Sequence, residues 1–390
     1  MRSGKAWILS AAIFFAASTA HADTTVNAQA WPPELTIGDE VPLVITPSFR
    51  IHADHTWMDN DAARHPTGAE LRRLRFGLSA ELGEAWEFKW ASELGGDDHE
   101  LKDLFLSYHR PDGRLNIGQF KEPFSMEQLE SSNDFLFIER SAVNALAPDR
   151  KMGVMWTQYT DRWSLTGGLF THDAEKDTQT NYAFSARATA APQFANWADS
   201  RFHVGVAGSY RHADEVSLDA GPVSNLSPIA TVDTDTIRNV QENMLLGLEA
   251  AAGWRSILVQ AEYFSEYVDT RQTDHYFDGA YVQLSWLLTG EQRPYEIQDA
   301  IFGGITPKRP FNPQAGDWGA WELGARMEYF DVNDGIIQGG KQRGATIGVN
   351  WYLTRYARLM ANASAIRTDA AANTPLDDPY IYQMRAQFNF

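Results

Sequence analysis

The run Leu71-Arg72-Arg73-Leu74-Arg75 places three arginines within four positions. Guanidinium groups held this close repel one another unless something compensates them, and an anion is one such compensator. The chemistry that suits the cluster is recognition of an anion without bond making, because arginine stays charged at any working pH. Bond chemistry has no comparable set. Cysteine is absent, so thiolate nucleophiles, thiolate metal sites and disulfides are excluded. No Gly-x-Ser-x-Gly elbow occurs. Glycine pairs such as Gly303-Gly304 lack the Lys-Ser/Thr of a phosphate loop. His52 and His55 are three apart, which on a strand turns them to opposite faces and disfavours a shared metal. The stretches 95–100, 231–243 and 368–378 read as solvated acidic loops rather than calcium sites. No catalytic residue, metal ligand or cofactor is expected.

Composition narrows the class. The chain of 390 residues carries 33 Lys and Arg against 51 Asp and Glu, a formal charge of −18, which argues against a nucleic-acid partner. Arg2 and Lys5, the apolar stretch Ala6–Ala17 and Ala20-His21-Ala22 form the three parts of a signal peptide over 1–22, with the mature chain starting at Asp23. No later segment offers the roughly 20 uninterrupted apolar residues of a membrane helix. A secreted soluble protein and a membrane β-barrel remain.

The elements that must position these cations are strands. From Tyr380 to Phe390 the chain alternates strictly, with Tyr380, Tyr382, Met384, Ala386, Phe388 and Phe390 on one face and Gln383, Arg385, Gln387 and Asn389 on the other. Outer-membrane barrels resemble this, closing on a strand with a terminal Phe. Similar alternation gives about sixteen strands, at 43–55, 70–82, 84–95, 102–110, 113–119, 152–160, 162–170 and 179–190, then 200–210, 242–251, 254–268, 278–289, 319–330, 343–353, 355–367 and 380–390. Each is close to the ~9–11 residues that a tilted membrane strand needs. The short turns at Gly83, Pro111–Gly113, Asp161, Ala252-Gly253 and Thr354 all follow even-numbered strands. The long connections after strands 5, 9 and 15 fall on the opposite side, as extracellular loops should. The connection 290–318 breaks this rule and predicts a plug-like periplasmic segment or a missed hairpin. By parity Arg50, Arg73, Arg75, Lys89, Arg187, Arg326 and Arg385 face the lumen, and Arg72 does not. The lumen-parity carboxylates are Glu87, Glu249, Glu262, Glu266, Glu322 and Glu328.

Several motifs, in order along the chain, resemble the family of phosphate-selective porins O and P. They are Leu71–Leu78, Ile117-Gly118-Gln119-Phe120-Lys121-Glu122-Pro123-Phe124, Glu139-Arg140, Ser285–Glu291, Lys308–Phe311, Leu323-Gly324-Ala325-Arg326, Gly348–Leu353 and Arg358–Asn362. The resemblance implies an all-β, transmembrane antiparallel barrel of about 16 strands over 23–390. It implies a homotrimer in outer-membrane lipid, each pore narrowed by a loop that folds inward over about 120–150. The apolar content of that loop (Phe120, Phe124, Phe135, Leu136, Phe137, Ile138) favours packing inside the barrel. The function implied is passive diffusion of small anions, phosphate or polyphosphate among them, along Arg72, Arg73, Arg75, Lys121, Arg140, Lys308 and Arg309. The family's inward-loop lysine aligns with Gln128, its periplasmic lysines with Glu296 and Thr306, and a further basic position with Glu87. The inward loop also carries Glu122, Glu127, Glu130, Asp134 and Glu139. A porin of weak or cation selectivity is the alternative within the class. A receptor or structural barrel, or an enzyme on a barrel scaffold, are the alternatives outside it, and nothing nominates a nucleophile with its base.

Overall fold

A computed structural model describes residues 24–27, 32–59, 67–95, 99–172, 174, 180–194, 199–221, 223–226, 230–369 and 378–390. The expected leader lies outside them. Sixteen antiparallel strands run in chain order around one sheet. The first four are β1 (Leu43–Asp59), β2 (Gly68–Leu82), β3 (Trp86–Glu93) and β4 (Glu100–Arg110). Next come β5 (Gly113–Lys121), β6 (Arg150–Tyr159), β7 (Trp163–Phe170) and β8 (Thr180–Ala190). They continue as β9 (Ser200–Ala213), β10 (Val240–Trp254), β11 (Ile257–Thr270) and β12 (Asp274–Leu287). The last are β13 (Ala320–Asp334), β14 (Ile337–Tyr352), β15 (Ala357–Asp369) and β16 (Tyr380–Asn389).

β16 pairs back onto β1, from Tyr380 opposite Asp59 to Asn389 opposite Arg50, so the barrel is closed and its wall has no free edge. The terminal residue completes the seam: Phe49 and Phe390 exchange two backbone hydrogen bonds of 3.0 Å, with ring centroids 5.8 Å apart. All sixteen expected strands are present. One expected turn moves: Ala252-Gly253 continues β10, and the chain turns at Arg255-Ser256. Before the barrel, Glu34–Ile37 pairs with the start of β1 and Thr24–Asn27 pairs with it in turn.

The alternation in β16 shows which face is which. Ile381, Gln383, Arg385 and Gln387 are buried, while Tyr380, Tyr382, Met384 and Phe388 are exposed. Polar residues inside and aromatic residues outside are the reverse of a water-soluble domain and suit a lipid-facing wall.

Three segments fold into the lumen. The connection 122–149 carries a single-turn helix, α1 (Met126–Leu129), and a 3-10 turn at Ala142–Leu146; its Phe124, Phe135, Leu136, Phe137 and Ile138 are all buried, with Phe120 at its entry. After β9 a hairpin forms between Glu215–Ala220 and Val232–Arg238. Its Val216, Leu218, Val232 and Ile237 share one apolar cluster with Phe124, Val143 and Leu146 of the inward loop and Phe264 of β11. From the opposite end comes 288–319, where Tyr295–Glu296 pairs with Ile301–Phe302 and Phe302 packs against Met126 and Leu258. That connection is therefore an inward-reaching segment containing its own small hairpin.

The wall has holes shaped for the loop. Gly324 and Gly348 stand opposite each other on β13 and β14. A Cβ on Gly324 would lie 3.0 Å from Leu136 and 3.1 Å from Phe137, and one on Gly348 would lie 3.3 Å from Phe137. Arg326 closes the site from the side, its guanidinium 4.8 Å from the centre of the Phe137 ring.

Gly118 of β5 has a φ of 131°, and a Cβ there would run into the Leu104 carbonyl and lie 2.7 Å from the Phe105 Cα. Both obstacles are backbone of β4 and cannot swing aside. Gly118→Ala is expected to destabilise the barrel by about 1–3 kcal/mol. Unfolding followed by heat-dependent gel mobility checks this, and an unchanged midpoint would contradict it.

Candidate functional site

The inward loop is fixed by its acids. Glu139 accepts from Arg72 at 2.8 and 3.2 Å and from Arg385 at 3.1 Å. Arg385, fully buried, also grips Asp54 at 2.7 and 2.6 Å and donates to the Ile138 carbonyl at 2.7 Å. Glu122 receives Arg211 of β9 at 2.9 and 3.0 Å. Arg358 donates to the Phe135 carbonyl at 2.8 Å. At the start of α1 the polarity reverses. There the wall supplies the carboxylate, Glu262, which accepts from Met126 N–H at 2.7 Å, Glu127 N–H at 3.0 Å and Ser125 Oγ at 3.1 Å. Arg293 ties the third segment in, reaching the Asp134 carbonyl at 3.0 Å and the Glu322 carboxylate at 2.9 and 3.1 Å.

The bond from Arg72 corrects its expected orientation. The register passes from His52 opposite Arg73 to Ala53 opposite Leu71, which leaves Arg72 as the extra residue of a β-bulge. A bulge re-aims side chains, and here it lets neighbouring Arg72 and Arg73 both reach Glu139, the second at 3.9 Å. Strict alternation cannot anticipate it. His52, by contrast, is buried inside the barrel and meets Asn133 at 3.3 Å, while the His55 ring lies against Trp57 at a tilt of 56°.

What the three segments leave open is a cavity of about 860 Å3 against β1–β6. Ten basic and nine acidic side chains line it, a near balance inside a chain of net charge −18. Arg72, Arg73, Arg75, Lys121 and Arg140 are all in the lining. Lys308 and Arg309 are not: Lys308 Nζ donates to the Gly290 carbonyl at 2.5 Å, and Arg309, with its side chain 82% exposed, lies 3.7 Å from Asp317. The third segment presents Glu296 and Asp299 to the cavity instead. Gln128 faces away, donating to Asp149 at 2.9 Å and accepting from Asn144 at 2.9 Å. Thr306 is exposed and does not line the cavity.

The cations in the lining fall into two groups. Arg75 is matched by Glu93 at 3.0 Å, Arg150 by Asp103 at 2.8 Å and Arg114 by Asp299 at 2.6 Å. Others are held by neutral acceptors. Arg50 donates to the Ser132 and Ser131 hydroxyls at 2.5 and 3.1 Å. Lys121 Nζ donates to the carbonyls of Leu129 and Glu130 at 3.0 and 2.7 Å. Arg140 donates to the carbonyls of Glu127 and Gln128 at 2.9 and 3.0 Å and lies over the Phe135 ring. Hydroxyls and carbonyls, not carboxylates, orient these three groups in the cavity lining.

Sequence reasoning did not single out Arg114, Arg150, Arg211, Arg293 or Arg358. Arg114, Arg211 and Arg358 sit at inward positions of their strands, a signal that could have found them; Arg293 gives none before the third segment is seen to fold inward.

Loop acids divide in the same way. Burial alone pushes the Glu139 carboxyl up, but Arg72, Arg73 and Arg385 together hold it well below the ordinary range. Asp149 is brought down to about 2 against its burial, by Arg150, Lys102 and Arg140. Asp134 and Glu296 go the other way. Burial dominates for both, offset for Asp134 by the more distant Arg358, Arg293, Arg50 and Lys121, and reinforced for Glu296 by Asp299 and Asp134.

Residues 45–390 match the family model described as phosphate-selective porin O and P. An uncharacterised protein of Caulobacter vibrioides is 28% identical over 330 residues, covering 79% of this chain; the chain spans 64% of that relative's length. Porin O of Pseudomonas aeruginosa is 26% identical over 376 residues, covering 84% of each. Among solved structures, the anion-selective porin from Comamonas acidovorans shares the fold with a TM-score of 0.56 at 13% identity, over 89% of this chain and 100% of that one.

Two expectations follow from this geometry. Gly324→Val places methyl groups where Leu136 and Phe137 sit, an overpacking that costs about 1–3 kcal/mol. It should loosen the inward loop, raising single-channel conductance and its noise; recordings indistinguishable from wild type would contradict the docking. The second concerns pH. Because their pKa values are raised, Asp134 and Glu296 lose charge earlier on acidification than ordinary carboxylates of pKa about 4. Anion preference should therefore rise as pH falls from neutral and decline as pH climbs through those raised values. Reversal potentials at stepped pH check this, and a flat profile would refute it.

Proposed function

The chain belongs to the phosphate-selective porin O and P family, and on that premise we propose that it forms a water-filled, homotrimeric channel for passive diffusion of small anions, phosphate among them, across the outer membrane. The observation that carries this reading is the holding of Arg50, Lys121 and Arg140 by hydroxyls and carbonyls rather than by carboxylates. A cation that lines a low-dielectric cavity and keeps its charge raises the local concentration of anions. The paired arginines Arg72, Arg73 and Arg75 extend the positive stripe while holding the walls in register. Lys308 and Arg309 are assigned an outer role, attracting anions towards the opening at that end.

The alternative, a porin of weak or cation selectivity, draws on the acidic total and on Glu296 in the place of a family lysine. Glu122, Glu127, Glu139, Glu262 and Glu322, all buried inside the barrel, are engaged in anchoring the inward segments, which favours the anion reading. Without lysines at positions 128, 296 and 306, phosphate is expected to pass without being trapped tightly.

The reversal potential of purified protein in a planar bilayer under a KCl gradient tests the proposal. Chloride preference is expected, reduced on the order of threefold to tenfold in Arg50→Gln, which removes one unpaired charge from the cavity. Cation preference in the wild type, unchanged by the substitution, would overturn the proposal in favour of the alternative.

A further inference from the structure

The cavity is not uniformly cationic. Asp134, at the end of the inward loop's Ser131–Asp134 turn, and Glu296, on the third segment, both line it. Among the described residues neither carboxylate makes a hydrogen bond or an ion pair, although every other acid of the inward loop except Glu130 has a side-chain partner. They are near each other, and Asp134 adds to the electrostatic environment of Glu296. The dipeptide Gly303-Gly304 makes their room: a Cβ on Gly303 would lie 2.5 Å from Glu296 Oε1, and one on Gly304 would collide with the Asp134 carboxylate.

Opposite charge stands close by. Arg50 donates to Ser131 and Ser132, and the Asp134 N–H donates to the Ser131 carbonyl at 2.8 Å. One tight turn, no wider than about 7 Å between its end Cα atoms, therefore has an unneutralised guanidinium at its start and an unneutralised carboxylate at its end. Two charges of opposite sign that line the cavity without a bond between them offer a solute two separate points of attraction. A solute carrying only negative charge gains from the first and is repelled by the second. One with an oxyanion head and an ammonium group a few bonds away gains from both.

Resting on the reading of the channel as an anion porin, we infer that its favoured solutes are short zwitterions, with the oxyanion directed to Arg50, Lys121 and Arg140 and the ammonium to Asp134 and Glu296. Permeation involves no bond making, and no other component is needed. The lining then selects by the arrangement of charge within a solute as well as by its sum.

Uptake into proteoliposomes clamped at zero potential with potassium and valinomycin tests this, using taurine against ethanesulfonate, two sulfonates of similar size that differ by one ammonium. Wild type should admit taurine about threefold faster. The Asp134→Asn/Glu296→Gln variant should lose that advantage and admit ethanesulfonate faster than wild type does. If the double variant fails to insert, Glu296→Gln alone should reduce the advantage. Equal wild-type rates, or an advantage that survives in a conducting variant, would overturn the inference. The KCl reversal potential of the same preparations separates the two levels. Chloride preference without a taurine advantage removes only this inference, whereas absence of chloride preference removes the anion reading beneath it.

Discussion

The buried clamp of Arg385 between Asp54 and Glu139 is the interaction on which the rest of the pore depends. It joins the last strand to the first, across the seam that closes the barrel, and reaches the inward loop with the same guanidinium. Removing one partner of a buried, hydrogen-bonded charge pair typically costs about 3–5 kcal/mol, because the other charge is left uncompensated. That penalty gives the loop one position. Once Glu139 is held, Phe137 enters the hole at Gly324 and Gly348, and the Arg140 that follows reaches the carbonyls that aim it. Apolar filling and ionic pinning therefore act on adjacent residues of one segment.

The same logic accounts for the acidic composition. A chain of charge −18 looks poorly suited to anions. Yet Glu122, Glu127, Glu139, Glu262 and Glu322 are each bonded in contacts between the wall and the inward segments. Their charges are spent on arginines or on backbone N–H groups before any solute arrives. Counting charges along the chain mixes these structural carboxylates with exposed ones in the turns, such as Glu84, Asp112 and Asp161, and with the few that line the cavity.

This division marks what could be read from the sequence. Strand number was legible because a period of two is a local property; closure and the inward loop came from the family resemblance, with the apolar run from Phe135 to Ile138 favouring packing inside the barrel. The residues that resemble a family motif also acquire physical reasons: Gly118 for close strand approach, Gly324 and Gly348 for ring docking. The orientation of Arg72 was not legible, because one extra residue in a strand leaves no mark on alternation. Nor were the roles of Arg211, Arg293 and Arg358, whose partners lie far away in the chain. Lys308 and Arg309 stand near the family's lysine positions in sequence, but their side chains lie outside the cavity. The hairpin after β9 was expected as a surface loop, and its apolar face instead joins the core beneath it.

The clamp also imposes an order on how the molecule comes to be. Arg385 lies 246 residues from Glu139 and 331 from Asp54. Contacts of such separation are formed late, since the intervening chain must first be brought together. Until β16 is delivered, Glu139 lacks the Arg385 half of its clamp, and the barrel has two open edges. Closing the wall and setting the bore are consequently a single event, so a partly assembled protein has no narrower or wider pore of its own: it has none.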